Sequence, residues 1–247
     1  MIKKNIGEKI YIFQELVSTM DTSKEMIQRG VDEGTVIMAK NQTAGRGSNN
    51  REWISDGNDA LFSMILESNA TKVNLISIIT AYSILLTIEK FTEEKITIKW
   101  PNDVMIDNRK ISGVLIENYI KNDFSKTIIG VGININSIHK VSKNFLYPSV
   151  SLKEIVNKKV DILEVLNKFL KIFNHVYKKY SKNDLNLEVI SERLYGLGEE
   201  INFRTNYSNN KPESNIFKII KLNKDGTLRV SNSDMKVLDL SSSEITI

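Results

Sequence analysis

Lys99-Trp100-Pro101-Asn102-Asp103, with Lys110 and Gly113 a few residues on, decides how this chain is read. Ile96 and Ile98 form an apolar, strand-like run into the Trp-Pro pair. Proline fixes φ and removes a backbone donor, so Pro101 is out of place inside a central strand. The segment reads as strand end, rigid corner and hairpin, and it gathers Lys99, Asn102, Asp103 and Lys110 into a small volume. Two lysines, an amide and a carboxylate on a stiff frame suit a phosphate and its metal ion. Catalysis is the expectation.

Before this corner, residues 10–17 read as a strand, and Asp21-Thr22-Ser23 looks like a helix start with Gly30 as its stop. A second strand over 35–40 opens into a polar loop, 41–52, which Trp53 closes. A strand over 60–66 and a long apolar helix over 73–91 follow; Asn74, Ser77, Thr80, Ser83, Thr87, Glu89 and Lys90 mark that helix as core rather than membrane span. Beyond the corner, 104–106 and 110–118 form a hairpin turning at Asp107-Asn108-Arg109, residue types that tolerate left-handed backbone. A strand over 127–135 puts Ile133 and Ile135 on one face and Asn134 and Asn136 on the other. Two helices, 162–180 and 185–194, precede a change of texture. The last fifty residues read as short strands (201–204, 216–222, 227–230, 236–240) with a hairpin turn at Asp225-Gly226. The pattern is an α+β domain over 1–193 with a small β-barrel over 194–247.

Composition narrows the function. With 41% apolar and 26% charged residues the 247-residue chain is globular. Its net charge of +4 lies within residues 1–193, too mild for nucleic acid and suited to a basic pocket for an anionic ligand. The absence of cysteine excludes a disulfide framework, a thiolate nucleophile and cysteine-ligated zinc. The two histidines, His139 and His175, are too few and too far apart for a histidine metal cluster and read as structural or solvated. The start, Met1 to Lys9, has no apolar stretch, so a cytoplasmic protein without membrane contact is expected.

Several groups carry two readings. The loop Gln42-Thr43-Ala44-Gly45-Arg46-Gly47-Ser48-Asn49-Asn50-Arg51 is a turn or a mobile clamp whose backbone amides and arginines meet an anion; it is neither a Walker A loop nor a dinucleotide fingerprint. Ser18 and Thr19 are helix caps or ligand hydroxyls, and Met20 and Met26 are packing. Glycine inside a strand, as at Gly113, Gly130 and Gly132, signals close approach of another group. Lys110 and Gly113 point to opposite faces of a regular strand, so contact with one ligand requires a bulge or an end-on approach.

Taken in order, Ser18-Thr19, Gln42-Thr43-Ala44-Gly45-Arg46-Gly47 with Trp53, Lys99 to Asp103, Arg109-Lys110-Ile111-Ser112-Gly113 and Gly130-Val131-Gly132-Ile133-Asn134 are similar to the biotin protein ligase family. The likeness covers residues 10 to about 136, and the C-terminal region resembles that family's SH3-like domain. The resemblance implies a class II aminoacyl-tRNA synthetase-like catalytic fold, a mixed sheet with packed helices. It implies a two-step reaction: biotin and ATP give biotinyl-5′-adenylate and pyrophosphate, and biotin then passes to one lysine of a biotin carboxyl carrier domain. On this resemblance Lys110 and Arg46 are the catalytic cations. Ser18, Thr19, Gln42, Gly45, Gly47, Gly113 and Leu115, with Arg46 and Lys110, bind biotin. Trp53, Lys99, Asn102, Asp103 and Asn134, with the same two cations, bind the nucleotide, and Asp103 serves Mg²⁺. Ser48 stands where the family pattern has a second arginine. Weaker retention of the adenylate is expected unless Arg51 substitutes.

Three other readings stand beside it. A DNA-binding repressor needs a helix-turn-helix, and about nine residues before the first strand leave no room, so no DNA is expected. A ligase for lipoate or octanoate shares the fold class, and a non-catalytic biotin-binding module would not need both Lys99 and Lys110. The oligomeric state stays open, with a homodimer the commonest option.

Overall fold

The computed structural model describes residues 5–48, 51–67, 73–121, 124–138, 148–205, 214–242 and 245–246. Strands β1 (Lys9–Leu16) and β2 (Thr35–Gln42) flank helix α1 (Thr19–Gln28), and β3 (Ala60–Glu67) precedes helix α2 (Val73–Ile88). Strands β4 (Ile96–Lys99), β5 (Asp103–Ile106), β6 (Arg109–Lys121) and β7 (Phe124–Ile133) follow, then helices α3 (Leu152–Val156), α4 (Ile162–Ser181) and α5 (Leu187–Ser191). The chain ends in β8 (Glu200–Thr205), β9 (Ser214–Leu222), β10 (Leu228–Ser231), β11 (Val237–Leu240) and β12 (Ile245–Thr246).

The first seven strands form one sheet in the order β1-β2-β3-β7-β6-β5-β4. Only β1 and β2 run parallel, joined through α1; the other neighbours are antiparallel. Strand alternation sorts the core. Val36, Met38, Phe62 and Met64 face one side, with α2 and α4; Ile37, Ile65 and Ile128 face the other, with Met20 and Ile27 of α1. Helix α2 is apolar around its circumference because it is buried. Three of its hydroxyls donate one turn back, Thr80 to Ile76, Ser83 to Ile79 and Thr87 to Ser83, and Ser77 donates to Pro101 O. Helix α4 instead buries one stripe, Val165, Leu166, Phe169, Leu170, Phe173 and Val176, with Phe169 against Phe62 at 5.2 Å.

Strands β8 to β12 make a second, antiparallel sheet in the order β11-β10-β9-β8-β12. The α+β class, the mixed sheet and the small C-terminal β unit match the sequence reading. A break at 193/194 falls between α5 and β8, yet the buried apolar residues of both sheets form one continuous cluster.

Four local readings change. Helix α1 begins at Thr19, not Asp21, because Ser18 caps it by accepting from the Met20 amide at 3.2 Å. The long helix stops at Ile88, with Glu89 to Phe91 in a turn. Helix α3 was not foreseen, although Ser151 and Glu154 form a capping box. A fifth C-terminal strand, β12, pairs with β8. The hairpin turn lies where expected, with Asp107 and Asn108 at φ of 48° and 59°. His139, Asn49 and Asn50 lie outside the described residues.

Candidate active site

A pocket opens on the α1 side of the large sheet, where strand alternation brings Leu61 of β3, Gly113 and Leu115 of β6, and Gly130 and Gly132 of β7 to one face. Gly113 and Gly132 are register partners, and together they seat the Trp53 indole. A Cβ on Gly132 would lie 2.5 Å from Cε2 and Cζ2 of Trp53; one on Gly113 would lie 3.1 Å from Cζ3. A Cβ on Gly130 would meet Sδ of Met20 at 2.6 Å. These glycines are therefore space for two larger side chains. The buried Trp53 Nε1 has no acceptor among the described residues, a donor that a ligand oxygen could satisfy.

The parity conflict between Lys110 and Gly113 is resolved by a bulge. Val104 pairs with Ser112 but Met105 pairs with Lys110, so Ile111 is the extra residue and the phase of β6 shifts there. Lys110 Nζ consequently comes within 3.0 Å of where a Gly113 Cβ would sit. It forms an ion pair with Asp103 at 2.7 Å and lies 5.5 Å from the Trp53 ring centroid. Asn134 works from behind, donating its amide to the carbonyls of Lys110 and Val150, both at 3.2 Å. Asn102 clamps the corner to β6: its Nδ2 donates to Val114 O at 2.8 Å, and Val114 N donates back to its carbonyl at 2.9 Å. The Trp100-Pro101 peptide in this corner is cis.

Lys99 is buried at 9% exposure and does not line the pocket. Burial pushes its ammonium down to about 8, Asp103 acts against that, and Lys110 and Arg51 act with it. Lys99 thus shares an electrostatic environment with the three charged groups around the site.

The opposite wall comes from the β1–α1 junction and the loop after β2. The Thr19 amide donates to Gln42 Oε1 at 2.7 Å, and Ser63 Oγ donates to Thr19 Oγ1 at 2.7 Å. Ser18 is cap and wall at once. The loop folds back on itself: Gly47 N donates to Arg51 O at 2.7 Å, and Trp53 N to Gly45 O at 2.9 Å. A Cβ on Gly45 would meet Trp53 O at 2.6 Å, so this glycine closes the loop and is not wall. Arg46 lines the pocket while its guanidinium pairs with Asp21. Arg51 wraps Ser48, reaching its carbonyl and hydroxyl at 3.3 Å each.

Of the residues expected at a site, Ser18, Thr19, Gln42, Arg46, Gly47, Trp53, Asn102, Asp103, Lys110, Gly113 and Leu115 line one pocket; Gly45, Lys99 and Asn134 stand behind it. Met20, read as packing, is both packing and wall. Ser63, Leu61 and Val131 were missed, since nothing in their local pattern distinguishes them from core.

A seven-stranded mixed sheet with a glycine-floored pocket beneath a basic loop, carrying a small antiparallel sheet after it, defines the class: the α+β fold of the biotin ligases. Residues 12–134 form a Biotin/lipoate A/B protein ligase family domain. Among solved structures, the biotin protein ligase from Aquifex aeolicus in complex with biotin and ATP superposes with a TM-score of 0.83 at 28% identity, covering 97% of this chain and 98% of that one. The bifunctional ligase/repressor BirA of Bacillus subtilis (strain 168) is 30% identical over 204 residues, covering 81% of this chain and 63% of that protein. The biotin–[acetyl-CoA-carboxylase] ligase of Paracoccus denitrificans is 25% identical over 128 residues, 49% of this chain and 53% of that protein. The chain thus spans less than two thirds of the length of these curated relatives.

Proposed function

We propose that this chain is an ATP-dependent biotin protein ligase that makes biotinyl-5′-adenylate and passes biotin to a lysine of a biotin carboxyl carrier domain. The observation that carries the reading is Lys110: a cation held between Asp103, the Trp53 face and the strand glycines, at the wall of a pocket whose other side is Ser18, Thr19 and Gln42. Similarity over nearly all of the Aquifex aeolicus ligase solved with biotin and ATP supports it.

In the first step a carboxylate oxygen of biotin attacks the α-phosphorus of ATP. A P–O bond forms, the bond to the β-phosphate oxygen breaks, and pyrophosphate leaves. Two anions must meet, so the site has to offset charge and align the reactants. Lys110 faces the meeting point and Arg46 covers carboxylate and phosphate, while Arg51 is held on Ser48 and does not line the pocket. Lys99 contributes positive potential from behind the corner. The polar groups of Ser18, Thr19 and Gln42 meet the ureido ring, which would be costly to bury unpaired. In the second step the neutral amine of the acceptor lysine attacks the acyl carbon, AMP leaves, and the amine loses a proton.

Among the described residues no group of three His, Cys, Asp or Glu could cage a metal ion. Among the described residues, Asp103 is the one acidic residue lining the pocket. That set fits Mg²⁺ arriving on the ATP phosphates, since this ion needs only one or two carboxylates from a protein. Asp103 would hold it, and it would supply further charge neutralisation. No helix among the described residues is long and apolar enough to cross a membrane, and a cytoplasmic setting with a carboxylase as partner fits the reaction.

The test is incubation with Mg-ATP and biotin or lipoate, with and without a carrier domain, following pyrophosphate release and acceptor labelling. Wild type is expected to respond to biotin alone, and Lys110→Ala to lose on the order of 10²–10³-fold in adenylate formation. No biotin-dependent pyrophosphate from wild type, or equal rates from both proteins, overturns the proposal.

A further inference from the structure

We infer that Asp21 and Glu117 are positioning residues that clasp Arg46 and so hold the loop over the pocket, setting how long the activated acid is retained; the inference rests on the ligase reading above. Arg46 Nη2 lies 2.7 Å from Asp21 Oδ1 and 3.4 Å from Glu117 Oε1. Asp21 stands in the first turn of α1, and Glu117 lies on β6 two and four residues beyond Leu115 and Gly113, on the same face. The clasp therefore joins three separate elements across the pocket mouth.

Its geometry leaves Arg46 useful. Both acidic contacts fall on Nη2, and among the described residues no partner is recorded on Nε or Nη1. A guanidinium tethered by one nitrogen keeps its other donors for a carboxylate or phosphate. The loop has few other ties. Thr43 N and Ala44 N donate to Leu16 O and Val17 O at 2.9 Å each, which anchors its start. From residue 46 to residue 52, among the described residues, the polar tie to the rest of the molecule is the Arg46 side chain.

Lys24 makes the clasp reversible. It reaches Glu117 Oε2 at 2.7 Å and Asp21 Oδ1 at 3.7 Å, so both carboxylates keep a cation when Arg46 leaves. Stranding two carboxylates would make opening costly; a resident lysine removes that cost. The side chains are 28–43% exposed, so the network is screened by salt and modest in strength, as a loop that must open and close requires.

The test uses the full chain. Biotinyl-adenylate is formed on wild type, Asp21→Asn/Glu117→Gln, Glu117→Gln and Asp21→Glu, and its release is timed at about 50 and about 500 mM salt. Release is expected to be roughly three- to tenfold faster in the double variant. The single Glu117→Gln should fall between, and Asp21→Glu should return toward wild type. High salt should speed release from wild type and leave the double variant unchanged. A purely structural role would lower the unfolding midpoint without changing release or its salt dependence. Equal release from wild type and double variant, both forming adenylate, overturns the inference and leaves the ligase reading intact. A wild type that forms no adenylate removes that reading, and the inference with it.

Discussion

Lys99 carries the chemical tension of the site in a single residue. Its spacing to Asn102, Asp103 and Lys110 was legible in the sequence, but its burial was not, because an Ile-Thr-Ile-Lys run does not say whether the lysine leaves the sheet. In the fold the ammonium is pushed down to about 8, from an ordinary value of 10.5. Between these values the unfolded chain binds more protons than the native one, so stability rises with pH across that window. Below about pH 8 both states hold the proton and the whole cost of burying the cation remains. Urea midpoints for wild type relative to Lys99→Met are expected to rise from about pH 8 to about 10.5; a flat difference would contradict it. Activity should move the other way, because the charge near the proposed nucleotide corner is lost. The KM for Mg-ATP is expected to climb above about pH 8 in wild type and to stay flat in Lys99→Arg, whose guanidinium keeps its charge. Asn134 shows the limit of reading by parity: β7 ends at Ile133, so the alternation that put Asn134 and Asn136 together on one strand face stops one residue early.

Between elements, the pairing of β6 with β7 sets the shape of the pocket. Glycines inside strands announced that something passes close by, and the conflict between Lys110 and Gly113 announced a bulge; both were legible because strand parity is strict. The visitor was not legible, since Trp53 is 60 or more residues from the glycines it covers and reads locally as the end of a loop. Gly132→Ala puts a Cβ 2.5 Å from two indole atoms, too close for any rotamer, so the ring must leave its seat. The expected cost is about 1–3 kcal/mol in urea unfolding, together with at least a tenfold loss of adenylate formation. Trp53→Ala should cost activity alone, and the two together should be less than additive, because the clash vanishes with the ring. Full additivity in that cycle would mean that Gly132 acts without Trp53. Gly113→Ala, whose nearest contacts are 3.0 and 3.1 Å and include the flexible end of Lys110, should be milder.

Across the whole molecule, the small C-terminal sheet holds the Lys99–Asp103 corner from behind. Trp100 donates its Nε1–H to Gly226 O at 3.0 Å, in the turn between β9 and β10. That turn meets the start of α2: Gly226 has φ of +86°, and a Cβ there would lie 2.9 Å from the Leu75 amide. Ser242 Oγ donates to Asn74 Oδ1 at 2.7 Å nearby, and β4 exchanges backbone bonds with the connection into the second sheet, Ile98 N to Arg193 O at 2.8 Å and Tyr195 N to Ile98 O at 2.9 Å. The Asp225-Gly226 turn was readable from its residue types, but its docking was not, because local periodicity carries nothing about a partner 126 residues away. The consequence is a protein whose two sheets stand or fall together, since one buried apolar cluster runs through both. Urea unfolding followed by far-UV circular dichroism and by tryptophan fluorescence should give one coincident transition. Gly226→Ala is strained at φ and obstructed by backbone, so it should shift that transition downward by about 2 kcal/mol or more. Because Trp100 leads directly into Pro101, Asn102 and Asp103, the same substitution should raise the KM for Mg-ATP more than that for biotin. Two separate transitions, or a Gly226→Ala protein with unaltered nucleotide kinetics, would show that the second sheet is a passenger and that the corner keeps its shape unaided.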